Sequence, residues 1–148
     1  MNFDLIELNL AAETNQDVIV TLGKKMLANG YVKDSYINAV IEREMNLPTG
    51  LNLGSFSVAI PHTNAEHVIL SHIAVAVLKK PVIFYSMIDH SDKLQVELVF
   101  LLAIKDPDGQ VSLLQKLMSV FQNLELLQQI KAAKTKEEVA KLLDVIEL

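Results

Sequence analysis

From Asn15 to Gly30 the apolar residues Val18, Ile19, Leu22, Met26 and Leu27 return at three- and four-residue steps, the spacing that lays one stripe along an α-helix. Thr14 or Asn15 supplies its N-cap and Gly30 its stop. A second stripe, Ile37, Val40, Ile41 and Met45, follows Ser35 and ends before Pro48 and Gly50. The period then changes. Ser57 to Ile60 (SVAI), His72 to Leu78 (HIAVAVL) and Val96 to Ile104 (VELVFLLAI) are rich in β-branched or continuous apolar residues. The last two predict central strands covered on both faces. Asp106-Pro107-Asp108-Gly109 reads as a turn, before a third helix marked by Val111, Leu114, Leu117, Met118 and Phe121. A short fourth helix is expected around Leu126 to Ile130. A fifth opens at Thr135, which stands at capping-box spacing from Glu138, and runs through Val139, Leu142, Leu143 and Ile146.

Strands and helices in alternation predict an α/β fold: a single mixed β-sheet flanked by helices on both faces. Sites in such folds lie at strand ends. No repeat, low-complexity tract or Pro/Gly/Ser linker interrupts the chain, so one domain is expected over residues 1–148.

Composition narrows the chemistry. A chain of 148 residues, 51% hydrophobic and 21% charged, buries roughly two thirds of its unfolded surface and needs no disulfide or structural metal. With no cysteine there is no thiol nucleophile, iron-sulfur cluster or thiolate zinc site. A net charge of −5 and a single arginine argue against nucleic acid as a partner. The amino terminus, MNFDLIELNL, lacks the basic segment of a signal peptide. The apolar run Leu98 to Ile104 falls far short of the about 20 residues that span a bilayer. A soluble cytoplasmic protein with no membrane insertion and no cofactor is expected.

The candidate chemistry lies in Ala59-Ile60-Pro61-His62-Thr63-Asn64-Ala65-Glu66-His67. His62, His67 and His72 are five residues apart. That step turns a helix by about 140° and reverses the face of a strand, so neither geometry gathers three rings around one metal ion. For His62 two readings stand side by side: a loop residue bonded to backbone, or an imidazole that the turn exists to present. Pro61 stiffens the exit from the SVAI strand. Thr63 and Glu66 stand at capping-box spacing, so a helical turn is expected just after the ring, with free N–H groups that favour an anion. Neutral imidazole is also a competent nucleophile near pH 7. His67 is expected to be exposed or to bond a carbonyl, His72 to be a packed strand residue, and His90 to sit in a solvated loop.

Glu42-Arg43-Glu44, Pro48-Thr49-Gly50-Leu51 and Phe56-Ser57-Val58-Ala59-Ile60-Pro61-His62 together resemble the phosphoryl-accepting IIA domains of the bacterial sugar phosphotransferase system (PTS), fructose/mannitol class (EIIA type 2). Pro48-Thr49-Gly50 and Gln110 make the chain most similar to galactitol-type IIA proteins. The resemblance covers essentially the whole chain and includes Val96 to Phe100 and Leu113 to Leu117. It implies that His62 takes a phosphoryl group from the phosphocarrier HPr through Nε2 and passes it to a cysteine of the cognate IIB protein. That protein serves a membrane IIC permease. Arg43 matches an arginine beside that histidine; Thr49 lies in the turn that packs near the site, and Thr63 follows the ring. Related fructose and mannitol domains often carry a second histidine where Gln110 stands, and an amide can hydrogen-bond a phosphoryl group but cannot neutralise it. Two other readings remain: a regulatory module of the nitrogen-related phosphotransfer kind, switched by phosphorylation of His62, and a metal-dependent hydrolase.

Overall fold

A computed structural model describes residues 1–144. Ile146, the last position of the expected fifth helix, lies outside them. Five strands, β1 (Ile6–Leu10), β2 (Gly50–Asn52), β3 (Ser57–Ala59), β4 (His72–Tyr85) and β5 (Lys93–Ala103), form one sheet in the order β1-β4-β5-β3-β2. It is mixed: β1 runs parallel to β4 and β3 to β5, while β4 pairs antiparallel with β5 and β2 with β3.

The pleat divides the core. On β4, Ala74, Ala76 and Leu78 join the side chains of α1 (Asn15–Ala28) and α2 (Tyr36–Asn46). The alternate residues Ile73, Val75 and Val77 join α3 (Pro107–Phe121), α4 (Leu124–Ala132) and α5 (Lys136–Leu142) on the other face. The central strands are therefore buried on both faces, as their unbroken apolar sequence predicts. Each large apolar side chain buried there contributes about 1.5–3 kcal/mol over its exposed state.

Local chemistry sets the helix ends. Thr14 and Asp17 form a reciprocal capping box at the start of α1, and Gly30, at φ 77°, turns the chain away after it. A Cβ at Gly23 would meet Cγ1 of Ile37 at 2.6 Å, which marks how closely α1 and α2 cross. On α2 the buried stripe is Tyr36, Val40 and Glu44; Ile37 and Ile41 are half-buried, and Met45 is 71% exposed. The expected apolar stripe is thus rotated by one position, and an acid occupies the core side. Thr135 caps α5 by accepting from Glu138 N at 3.1 Å.

Two further expectations are corrected. Asp106 to Gly109 is no separate turn: Asp106 is the N-cap of α3, its Oδ1 accepting from Asp108 N at 3.1 Å, and Pro107 begins the helix, where its missing N–H is harmless. β4 does not stop at Leu78 but continues to Tyr85. Its register against β5 shifts between Val77 and Val82, and Pro81, which has no ladder donor, falls within that interruption. Among the described residues no helix is long and apolar enough to cross a membrane.

Candidate functional site

β3 and β5 run parallel, with Ala59 opposite Val99, and their carboxyl ends open on the same edge of the sheet. That edge is where α/β folds place their sites. The chain leaves β3 through Ile60 and Pro61, both buried, and Pro61 is held from the side: its carbonyl accepts from Leu102 N of β5 at 3.0 Å. Leu102 is tied in turn by Tyr36, whose buried hydroxyl donates to its carbonyl at 2.6 Å. Burial raises the Tyr36 pKa, so that hydroxyl stays protonated and remains a donor. The exit from β3 is therefore fastened to the central strand and to α2.

His62 emerges from this fastening half-buried. Its Nδ1 lies 2.8 Å from the Ile60 carbonyl oxygen. A carbonyl can only accept, so Nδ1 carries the proton. Burial lowers the ring's pKa from 6.5, the Ile60 bond opposes that change, and the nearby positive charge of Arg43 lowers it further. The ring is neutral at pH 7, and the lone pair of the neutral tautomer resides on Nε2.

Arg43 comes from the last turn of α2, so the structure does bring it into electrostatic reach of His62. It is half-buried rather than the solvated surface residue that the helix pattern suggests, and its buried Nε has no hydrogen-bond partner among the described residues. Thr49 is buried, and its carbonyl accepts from Ile60 N at 3.3 Å. Gln110 is half-buried in the first turn of α3, which starts from the same edge of the sheet after β5.

The short segment after His62 differs from expectation. The 3₁₀ turn Ala65–His67 starts from Asn64, with no side-chain cap bond, so the Thr63–Glu66 capping box does not form. Thr63 is half-buried and extended chain separates the ring from this turn. Three residues of 3₁₀ helix carry little aligned dipole, so the donors expected from a helix start next to the ring are not provided there.

The remaining histidines lie in three different settings. His67 Nδ1 pairs with Ser35 Oγ at 2.8 Å, a hydroxyl rather than a carbonyl, and its Nε2 is 3.8 Å from Glu66. His72 packs its ring on Tyr31 with centroids 4.6 Å apart, and burial lowers its pKa. His90 is exposed in the β4–β5 loop. Among the described residues no three His, Asp or Glu side chains gather as a metal-binding group.

Glu44 is the residue that sequence reasoning passed over. It is only 6% exposed, and its carboxylate accepts from Thr49 N at 2.8 Å and from Thr49 Oγ1 at 2.7 Å. Burial pushes its carboxyl up to about 7, against the pull of both Thr49 bonds and of Arg43. The signal was present: an acid four residues after Val40 and eight after Tyr36 stands on the buried side of α2.

The family profile described as phosphoenolpyruvate-dependent sugar phosphotransferase system, EIIA 2, matches residues 1–145. The galactitol-specific EIIA component of Escherichia coli K12 is 34% identical over 112 residues, 76% of this chain and 74% of that protein. The mannitol-specific IIA component of Geobacillus stearothermophilus is 29% identical over 142 residues, 95% of this chain and 92% of its own. Among solved structures, the complex of mannitol enzyme IIA with phosphorylated enzyme IIB from Escherichia coli superposes with a TM-score of 0.78 at 22% identity, covering 97% of this chain and 96% of that one. The chain belongs to the EIIA type 2 family of the phosphoenolpyruvate-dependent sugar phosphotransferase system, a phosphoryl-transfer component of the fructose/mannitol class.

Proposed function

We propose that the protein is a phosphoryl carrier that accepts phosphate from phospho-HPr on Nε2 of His62 and passes it to a cysteine of a cognate IIB protein, in uptake of a galactitol-like sugar or polyol. The observation that carries this reading is the 2.8 Å bond between His62 Nδ1 and the Ile60 carbonyl. It fixes the proton on one nitrogen and leaves the lone pair on the other.

The steps balance without a separate base. The Nε2 lone pair forms a bond to phosphorus as the P–N bond to the donor imidazole breaks, its electron pair returning to the donor. Nε2 carries no proton to lose, and Nδ1–H stays on the Ile60 carbonyl, which stabilises the positive charge gained by the ring. In the second step a cysteine thiolate attacks phosphorus, the Nε2–P bond breaks, and its pair returns to Nε2. Such transfers need positioning and charge stabilisation more than further chemistry. Arg43 supplies the cation, and a guanidinium donates charge-assisted hydrogen bonds to phosphoryl oxygens. Gln110 and Thr63 are supporting hydrogen-bond donors, and Thr49 holds Ile60. The galactitol-like cargo rests on the 34% identity to a galactitol-specific component.

The test is incubation with the general phosphotransferase proteins and labelled phosphoenolpyruvate. Acid-labile label on the wild type and none on His62→Ala is expected; label persisting in His62→Ala overturns the assignment. Loss of polyol uptake on deleting the gene supports transport, whereas unaffected uptake overturns it in favour of a regulatory module.

A further inference from the structure

Four hydrogen bonds, in three successive links of which the first is double, lead from α2 to the ring. Glu44 Oε1 accepts from Thr49 Oγ1 and Glu44 Oε2 from Thr49 N, at 2.7 and 2.8 Å. The Thr49 carbonyl accepts from Ile60 N at 3.3 Å, and the Ile60 carbonyl accepts from His62 Nδ1 at 2.8 Å. Glu44 and Thr49 are two of the three buried polar residues among those described. A buried carboxyl is expensive to place unless it does something that an apolar side chain could not. Its neighbours on the buried side of α2, Tyr36 and Val40, show that the position is otherwise a core position.

We propose that Glu44 is a positioning residue of the site: by clamping Thr49 through both its N–H and its hydroxyl, it holds the Thr49 and Ile60 carbonyls so that the His62 ring is kept with Nδ1–H inward and Nε2 outward. The inference rests on the reading of His62 as the phosphoryl acceptor. Glu44 touches neither the ring nor the phosphoryl group; it acts through the loop. The clamp has a further property. Thr49 Oγ1 can donate or accept, so a group at position 44 that accepts from Thr49 N and donates to Thr49 Oγ1 closes the same two bonds. Protonated glutamic acid and glutamine both qualify; alanine does not.

The experiment compares the wild type with Glu44→Ala, Glu44→Gln and Thr49→Val, each checked for a cooperative thermal transition. Two quantities are read: the ring-nitrogen signals of His62 by long-range ¹H–¹⁵N correlation, and the rate of phosphoryl transfer from phospho-HPr. In Glu44→Ala the ring is expected to become a mixture of tautomers and transfer to slow by about 10- to 100-fold, the loss typical of a small misplacement. Glu44→Gln is expected to restore the single tautomer and a rate within about threefold of wild type. A folded Glu44→Ala with wild-type ring signals and rate overturns the proposal, as does a Glu44→Gln as impaired as alanine. If Glu44→Ala does not fold, Thr49→Val decides: tautomer mixing supports the clamp and unchanged signals overturn it. The ring signals need no phosphoryl donor. A wild type that takes no label on His62 therefore overturns the functional reading alone, and the tautomer comparison still decides the role of Glu44.

Discussion

The imidazole Nδ1 of His62 lies 2.8 Å from the carbonyl oxygen of Ile60, two residues earlier in the chain. The residue between them is proline, which fixes its own φ and restricts Ile60 before it, so the ring leaves a stiffened backbone. With Nδ1–H committed and the pKa lowered from 6.5, the nucleophilic form dominates at neutral pH. Phosphoryl acceptance is expected to be flat above pH 7. It should fall only as the pH drops through a ring pKa below 6.5, because a proton on Nε2 removes the lone pair. A transfer rate still climbing between pH 7 and pH 8 would exclude the neutral Nε2 nucleophile.

Arg43 acts on two neighbours in the same sense. Its positive charge lowers the pKa of His62 and also that of Glu44. Arg43→Gln is expected to raise both, visible in an NMR titration of the His62 ring and the Glu44 carboxyl. It should also slow phosphoryl transfer by on the order of 10²-fold, the effect of losing one charge-stabilising donor. A folded Arg43→Gln with an unchanged His62 titration would show that the electrostatic contact is absent in solution.

Glu44 makes stability depend on pH in a direction opposite to most carboxylates. Its folded pKa, about 7, is raised above the ordinary 4.5, so the native state binds the proton more tightly than the unfolded chain. The contribution is fully present below pH 4.5 and is lost as the pH rises through 7. Its size is on the order of 3 kcal/mol, at 1.36 kcal/mol per pH-unit difference. His62 and His72, whose pKa values are lowered, add stability that is present above 6.5 and lost as the pH falls, so the total profile is a sum of opposing terms. The difference between wild type and Glu44→Gln isolates the carboxyl. The glutamine variant should gain on wild type between pH 5 and pH 8 in urea unfolding midpoints. Parallel profiles would show that the carboxyl is ionised without penalty.

Much of this fold was legible because its strongest elements carry uncontested periodic signals. The stripe of α1 and the continuous apolar runs of β4 and β5 have no competing pattern, whereas on α3 the helix was legible but its face was not: Leu113, Leu117, Val120 and Phe121 are buried, and the expected Val111 and Met118 are exposed. β1 was missed because Ile6–Leu10 is short, sits at the sheet edge and is interrupted by Asn9 at φ 54°. The three-residue β2 carries no period at all. At the site, the AIPH motif drew attention to His62; its bond to the Ile60 carbonyl is common to both readings of that residue and orients the ring, and the turn that Thr63 was expected to cap does not form. Arg43 came from resemblance, since a lone cation on a helix gives no sign of the ring it approaches. Glu44 was hidden because a helical stripe assigned from isoleucines and a methionine placed it outside the core. Its spacing from Tyr36 and Val40 carried the burial, but the two bonds from Thr49 depend on how the loop after α2 turns back, which no period records.

What holds the site in place differs from what holds it in shape. Tyr36 donates to the Leu102 carbonyl at 2.6 Å, and Leu102 N donates to the Pro61 carbonyl at 3.0 Å. This fastening reaches the loop one residue before His62 but makes no bond to the ring or to Ile60, whose N–H is held by Thr49. Tyr36→Phe removes one buried hydroxyl and leaves the Leu102 carbonyl one donor poorer, a change of about 1–2 kcal/mol. In a domain of this size that lowers the melting temperature by about 2–8 °C. Because the Glu44–Thr49–Ile60–His62 bonds are untouched, the His62 tautomer should stay single and phosphoryl transfer at 25 °C should change by less than about threefold. An unchanged melting temperature with a mixed tautomer would reverse the roles assigned to the two ties, making Tyr36 the residue that orients the ring.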